Sequence, residues 1–145
     1  MKQASALDAI NIETEPFIDT NSVGGAQAIL CEIETMLERF IANNEEGVID
    51  LKGIPLTHDE YQQLQYVLGG GELSATIHAL GKSIVRETAI AGAWWITHYN
   101  EDDGVIADML EVTSIPAILK SDRGDMRNAL IELRKRIEKE QPLIV

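Results

Sequence analysis

The sequence has few cysteines, few aromatic residues and no long apolar run. Its single cysteine, Cys31, excludes an internal disulfide, and no neighbouring histidine or acid would activate it as a nucleophile. No stretch approaches the roughly 18 consecutive apolar residues of a transmembrane helix. The first 22 residues lack the apolar segment of a secretory signal. We therefore expect a cytoplasmic protein that does not insert into a membrane.

Basic residues are also scarce, and they are unevenly distributed. Residues 1–119 hold 19 acids and 5 bases, a net charge of −14, whereas residues 120–145 hold 5 acids and 7 bases, a net charge of +2. Without a surplus of lysine and arginine, binding to nucleic acid is not expected. The acidic part is either an ordinary solvated surface or one that steers the protein towards a basic partner.

Motifs for catalysis and metal binding are missing as well. His58, His78 and His98 fall on separate predicted elements, and no Cys-x-x-Cys or His-x-x-x-His pattern is present. The Gly-Lys-Ser at residues 81–83 lacks the earlier glycine of a phosphate loop, and the glycines at residues 69–71 follow a helix instead of preceding one. We predict no metal, no cofactor and no catalytic residue.

Apolar periodicity predicts the secondary structure. Helical spacing covers residues 26–41, 57–68 and 121–140, and the second of these segments begins with a Thr-x-x-Glu capping box. Residues 48–51 and four segments within residues 72–113 have the character of strands. Strands in series with segregated helices predict an α+β fold, a two-layer sandwich in which helices pack on one face of a mainly antiparallel sheet of about four to five strands.

The domain organisation follows from the change in pattern near residue 23. Residues 1–22 are polar and acidic without a clear period, and we expect a flexible N-terminal arm or a linker there. Residues 23–145 have the length of one domain with one core.

The segment ETAIAGAWWITHYN carries both tryptophans of the chain. If it is a strand, its side chains alternate between two faces. One face then holds Trp94, Ile96 and His98, and the other holds Trp95, Thr97 and Tyr99. The more apolar face is expected to form the core, so Trp94→Ala should be destabilising. The face with Trp95 is expected to bind a protein partner, since tryptophan and tyrosine are enriched in interfaces.

The predicted partner-binding surface also includes the glycine run, because three consecutive glycines exceed what a helix end requires and allow another backbone to approach closely. The complete predicted set is Trp95, Thr97, Tyr99, Gly69, Gly70, Gly71, Glu72 and Arg86.

Three segments together resemble a known family. VIDLKGIPLTHDEYQQL, LGGGELSATIHALGKSIVRETAIAGAWWITHYN and LEVTSIPAIL occur in this order and are followed by a basic helix. Over residues 26–140 the chain is similar to the C-terminal domain of the HupH/HyaF (HoxQ-like) hydrogenase expression proteins. The resemblance implies a bacterial cytoplasmic, chaperone-like accessory protein for NiFe hydrogenase. It is expected to bind a hydrogenase subunit before assembly or export, or another maturation protein. The small subunit is favoured, and the family supplies no catalytic residues to carry over.

Two alternatives stay open on the residues alone. The chain could be a cofactor- or metal-handling maturation enzyme with a cleft near Arg86, Glu87, His78 and His98. It could also form a homodimer through an exposed strand edge or an apolar face.

Overall fold

The computed structural model describes residues 24–140. These fall into two compact units, and the boundary between them in the chain lies between Ser114 and Ile115. The predicted arm, residues 1–22, lies outside the described residues. The first unit contains two α-helices and five strands, and the second contains one α-helix.

The elements of the first unit alternate at the start and then run strand after strand. In chain order they are α1 (Gly24–Asn43), β1 (Gly47–Asp50), a 3-10 turn (Leu51–Gly53), α2 (His58–Leu68), β2 (Ser74–Ala79), β3 (Gly81–Glu87), β4 (Ala93–Tyr99) and β5 (Val105–Val112). The second unit has a 3-10 turn (Ala117–Leu119) and α3 (Arg123–Glu140).

The five strands form one antiparallel sheet in the order β1-β5-β4-β3-β2. Strands β2 to β5 are neighbours in sequence as well as in space, and β1 is added beside β5. Helices α1 and α2 pack on one face of this sheet through a shared apolar cluster. The α+β sandwich predicted from the sequence is confirmed.

The core lies between the two helices and the sheet. Helix α1 buries one residue per turn, and the buried residues are Ala26, Ile29, Ile33 and Met36. Helix α2 buries Leu64 and Leu68. The strands contribute Ile49, Ala93, Trp95, Leu110 and Val112. Each large aliphatic side chain removed from water in this layer contributes about 1.5–3 kcal/mol to stability.

Helix α2 begins and ends where its sequence predicts. The Thr57 hydroxyl oxygen accepts a hydrogen bond from the Glu60 backbone N–H at 3.2 Å, which satisfies one of the free donors of the first turn. At the other end, Gly69 has a φ of 61°, and its N–H donates to the Gln65 carbonyl at 3.0 Å. A left-handed residue at this point favours glycine.

The two tryptophans of β4 point to opposite faces of the sheet, but their predicted roles are reversed. Trp95 belongs to the helix-covered core, with its ring edge-on to Tyr61 at 5.4 Å between centroids. Trp94 is on the other face, where its indole N–H donates to the Thr113 carbonyl at 3.1 Å. The apolarity of the two faces of β4 did not predict which one the helices cover, because the strand is buried on both sides. Trp94 is 6% exposed and Trp95 is 5% exposed.

Helix α3 is capped at its start by Asp122. The Asp122 carboxylate accepts a hydrogen bond from the Gly124 N–H at 2.7 Å. None of its residues is buried. Its apolar stripe consists of Met126, Leu130, Leu133 and Ile137, and these side chains are between 47% and 53% exposed.

Candidate partner-binding site

A cavity of about 250 Å³ opens between the end of α2 and the neighbouring strands β2, β3 and β4. Its walls are formed by Gln65, Gly69, Gly70, Gly71, Leu73, Ser74, Arg86, Glu87, Thr88 and Trp95. The strand register explains the convergence, because Ser74 pairs with Arg86 and Arg86 pairs with Trp95. These three residues are one row across the sheet on the helix side.

The glycine run shapes one wall of the cavity. The Gly71 N–H donates to the Glu87 carbonyl at 2.8 Å, and this bond holds the turn against the end of β3. A Cβ at position 71 would lie 2.7 Å from the Thr88 carbonyl oxygen, so at Gly71 the approaching backbone is that of this chain's own β3–β4 turn. A Cβ at Gly70 would meet nothing within 4 Å, which leaves this part of the wall open.

Arg86 is the cation of the cavity. Its guanidinium lies over the Trp95 ring, 6.0 Å from the centroid, and Nη2 donates a long hydrogen bond of 3.4 Å to the Thr97 hydroxyl. Within residues 24–140, no acid comes within salt-bridge distance of it. A guanidinium has five N–H donors in a planar fork. Most of these donors are therefore available to a carboxylate or a carbonyl oxygen of a bound partner.

Below this row lies a buried carboxylate, Asp108, which is 6% exposed. One oxygen accepts the Trp95 indole N–H at 2.7 Å and the Thr97 hydroxyl at 2.9 Å. The other oxygen accepts the Tyr61 hydroxyl at 2.5 Å. A buried charge is tolerated when such donors replace its water shell. This network fixes the Trp95 ring that supports Arg86.

Burial and then the hydrogen bond to the Asp108 carboxylate raise the pKa of the Tyr61 phenol well above its usual value of 10.0. The phenol is consequently a stable hydrogen-bond donor at neutral pH. It acts here in positioning the carboxylate, since its proton is engaged and it is not among the residues that line the cavity.

A comparison with family models identifies the chain. Residues 23–139 match the model described as "HupH hydrogenase expression protein, C-terminal conserved region". The chain belongs to the HupH family. The match covers parts of both compact units and starts one residue before α1.

Curated relatives and a solved structure agree with this assignment. The HupH hydrogenase expression/formation proteins of Rhodobacter capsulatus and Rhizobium leguminosarum bv. viciae are 26% and 29% identical to this chain, over 82% and 73% of its length. The chain spans only 43% and 38% of those two relatives. The structure of the hydrogenase expression protein HupH from Thiobacillus denitrificans is 38% identical, with a TM-score of 0.77 over 80% of this chain and 97% of that one.

The HupH fold brings most of the predicted partner-binding residues together and separates the others from them. Gly69, Gly70, Gly71, Arg86 and Trp95 all line the cavity, and Glu72 lines a shallower depression next to it. Thr97 is buried in the Asp108 network. Tyr99 is half-buried at the far end of β4, beneath the Lys82 ammonium at 4.9 Å.

These positions correct the predicted interface. The side chains of Trp95 and Thr97 are 5% and 4% exposed, so neither forms an open surface for a partner, and Trp95 contributes only to the inner wall of the cavity. Their exposure was predicted from the lower apolarity of their face of β4. The Asp108 carboxylate overrides that criterion, because it gives both side chains a buried polar partner. The exposed members of the set are the glycines, Glu72 and Arg86.

Of the alternative cleft, Arg86 and Glu87 line the cavity, whereas His78 and His98 do not. His98 pairs with Ser83 on the face opposite Arg86, and the Ser83 hydroxyl lies 2.6 Å from its Nδ1. His78 is near the other end of β2 and does not line the cavity. Over the part of the chain that the structure describes, no cluster of three or more metal-ligating side chains occurs. None of the described helices is long and apolar enough to cross a bilayer.

Sequence reasoning missed two features of this region. Asp108 and Tyr61 were not singled out, although an acid on the same strand parity as Leu110 and Val112 signals a buried charge. It also missed an apolar groove of about 370 Å³ between α1 and α2. The groove is lined by Leu30, Ile33, Glu34, Leu37, Glu38, Ile41, Val67, Leu68 and Ile90.

Proposed function

We propose that this protein is a non-catalytic, chaperone-like accessory protein of hydrogenase maturation that acts in the cytoplasm. It binds a hydrogenase subunit, the small subunit in preference to the large, before assembly or export. The observation that carries the proposal is the family match over residues 23–139, since the relatives are named hydrogenase expression/formation proteins.

The cavity supports a binding role at a defined place. It combines an open glycine backbone, a guanidinium that forms no ion pair among the described residues and a rigid aromatic support, and these features suit recognition of a polypeptide. Arg86 would donate to a carboxylate or backbone carbonyl of the subunit, and Glu72 lines the shallower depression next to the cavity. The glycines would let the bound chain approach the end of β2 without steric hindrance.

The proposal is tested by surface binding of purified hydrogenase small-subunit precursor to the immobilised protein, with the large subunit and an unrelated acidic protein in parallel. We expect saturable binding that is strongest for the small subunit. Binding of neither subunit above the unrelated protein would reject the proposed function. Preference for the large subunit would reject the choice of partner.

Variants locate the surface. Arg86→Gln removes the guanidinium of the cavity, and we expect at least about a tenfold loss of affinity from a central charged contact. Arg39→Gln, an exposed arginine of α1, is the matched charge control and should bind normally. Ile41→Glu places a charge in the apolar groove, where Ile41 is 81% exposed. Loss of binding in Ile41→Glu alone would move the site from the cavity to the groove.

A further inference from the structure

We infer that the free edge of strand β2 is a dimerisation edge, which pairs antiparallel with β2 of a second copy of this chain. The inference stands apart from the proposed binding of a hydrogenase subunit and does not depend on it. It rests on the position of β2 in the sheet, its composition and its symmetry.

Strand β2 is the last strand of the sheet and pairs only with β3 among the described residues. The Glu87 N–H donates to the Leu73 carbonyl at 2.9 Å, so this pair is hydrogen-bonded. Hydrogen-bonded and non-bonded pairs alternate along an antiparallel ladder. The backbone N–H and C=O groups of Ser74, Thr76 and His78 consequently point away from β3, towards the free edge.

The two edges of the sheet differ in how they are protected. Natural edge strands are usually short or carry lysine, other charges, proline or a bulge, which prevents pairing with another chain. The opposite edge, β1, has only four residues, Gly47–Asp50, and ends in a charged one. Strand β2 has six residues, Ser-Ala-Thr-Ile-His-Ala, without a lysine, an acid or a proline. Its ladder with β3 is regular along its whole length.

The sequence of β2 is complementary to itself. In an antiparallel pair centred on Thr76, the two Thr76 side chains face each other, and Ser74 faces His78 of the second copy. Threonine pairs at this position are favourable, and no like charges are brought together. On the other face of the strand, Ala75 meets Ile77 of the second copy.

Pairing would also cover apolar side chains that the single chain leaves in water. Leu73 precedes β2 on the row of Ala75 and Ile77, and it is 45% exposed. In the same register it would meet Ala79 of the second copy. The row on this face thus becomes a continuous apolar strip across the two copies, and its burial adds to the main-chain hydrogen bonds.

The symmetry axis would be perpendicular to the sheet, so both cavities lie on the same side of the joined sheet. Ser74 of each copy is a cavity residue. Ser74 of one copy faces His78 of the other, and His78 lies four positions along the strand from Ser74 of its own copy. The two Ser74 residues would be about 14 Å apart. The dimer would therefore present two adjacent sites to one partner surface.

The test is sedimentation equilibrium of the full chain over a range of concentrations. We expect a dimer that dissociates reversibly on dilution. Thr76→Lys places two like charges opposite each other at the axis, and we expect the dissociation constant to rise by about tenfold or more. Thr76→Val keeps a β-branched side chain at the same exposed position and should dimerise like the wild type.

A second variant addresses the backbone itself. Thr76→Pro removes the outward N–H but no hydrogen bond to β3, and an edge strand tolerates proline at such a position. We expect this variant to be monomeric and its melting temperature to stay within a few degrees of the wild type. A wild-type protein that is monomeric at every concentration would overturn the inference. So would a dimer whose dissociation constant in both Thr76→Lys and Thr76→Pro equals that of the wild type, because its interface would lie elsewhere.

Discussion

Two adjacent tryptophans on one strand have different environments in this protein. Trp95 lies in the helix-covered core and donates to the buried Asp108 carboxylate, whereas Trp94 lies on the opposite face and donates to a backbone carbonyl. Both rings are buried, and both indole N–H groups have partners. The loss in free energy of unfolding when either ring is removed therefore depends on the packing and hydrogen bonding around that ring.

Alanine at either position should be strongly destabilising. We expect both Trp94→Ala and Trp95→Ala to lower the free energy of unfolding by about 3–5 kcal/mol, since each leaves a large cavity. Trp95→Phe keeps most of the ring but leaves Asp108 without one donor, and it should cost less than the alanine variant. Urea unfolding followed by circular dichroism measures all three. An unchanged stability in Trp95→Ala would contradict the core position assigned to it.

Alkaline pH offers a test of the Tyr61–Asp108 pair. The pKa of Tyr61 is raised in the folded state by burial and by the bond to Asp108, whereas in the unfolded chain the phenol ionises near its usual value of 10.0. The unfolded state thus loses this proton first. The contribution of the protonated Tyr61 to the free energy of unfolding is complete below about pH 10 and declines as the pH rises further.

We expect the wild type to lose more stability between about pH 8 and about pH 10.5 than Tyr61→Phe, which cannot ionise at this position. Urea unfolding at the two pH values gives the comparison. Equal losses in the wild type and Tyr61→Phe would show that the raised pKa has no effect on stability.

At the residue level, the sequence predicted geometry better than environment. The period of two in β4 required Trp94 and Trp95 to face opposite ways, and this is confirmed. Which face the helices cover depends on the register of β4 with β3 and β5, which a single strand does not encode. The burial of Asp108 likewise requires Tyr61 of a distant helix, 47 residues away in the chain.

Elements with local signals were predicted closely. Helix α2 has its cap at Thr57 and its glycine stop at Gly69, and both signals act through neighbouring backbone atoms. The strands from β2 to β5 follow from alternation and from the turns between them. The groove between α1 and α2 was not predicted, because it depends on how the two helices pack and not on either sequence alone.

The turn from α2 into β2 allows a matched pair of glycine substitutions. Gly71→Ala forces a Cβ to 2.7 Å from the Thr88 carbonyl oxygen, and we expect it to cost about 1–3 kcal/mol through backbone displacement. Gly70→Ala, one residue earlier, has nothing within 4 Å of its Cβ and should leave stability nearly unchanged. Thermal melting of the two variants provides the measurement. Equal melting temperatures would mean that the turn is not held against β3 as described.

On the scale of the whole molecule, charge is separated along the chain. The net charge of −14 in residues 1–119 contrasts with +2 in residues 120–145. Within the described part, only two salt bridges form, Lys82–Asp103 and Arg136–Glu132, so most acids remain unpaired. An excess of unpaired acids creates a field that reaches beyond the surface.

This field should affect how quickly a partner arrives. For a partner with a basic binding surface, we expect the association rate constant to fall severalfold when NaCl is raised from about 50 to about 300 mM, because the screening length shortens. The dissociation rate constant should change less. Stopped-flow or surface binding kinetics would separate the two. An association rate that does not respond to salt would assign the acidic surface to solvation alone.

The two tryptophans also provide two intrinsic fluorescence probes, one on each face of the sheet. The emission of Trp95, which lies under the Arg86 guanidinium and lines the cavity, will respond to whatever enters that cavity. The emission of Trp94 comes from the other side of the sheet and serves as an internal reference. With phenylalanine at one or the other position, binding and global unfolding become distinguishable in the same sample, without any added label.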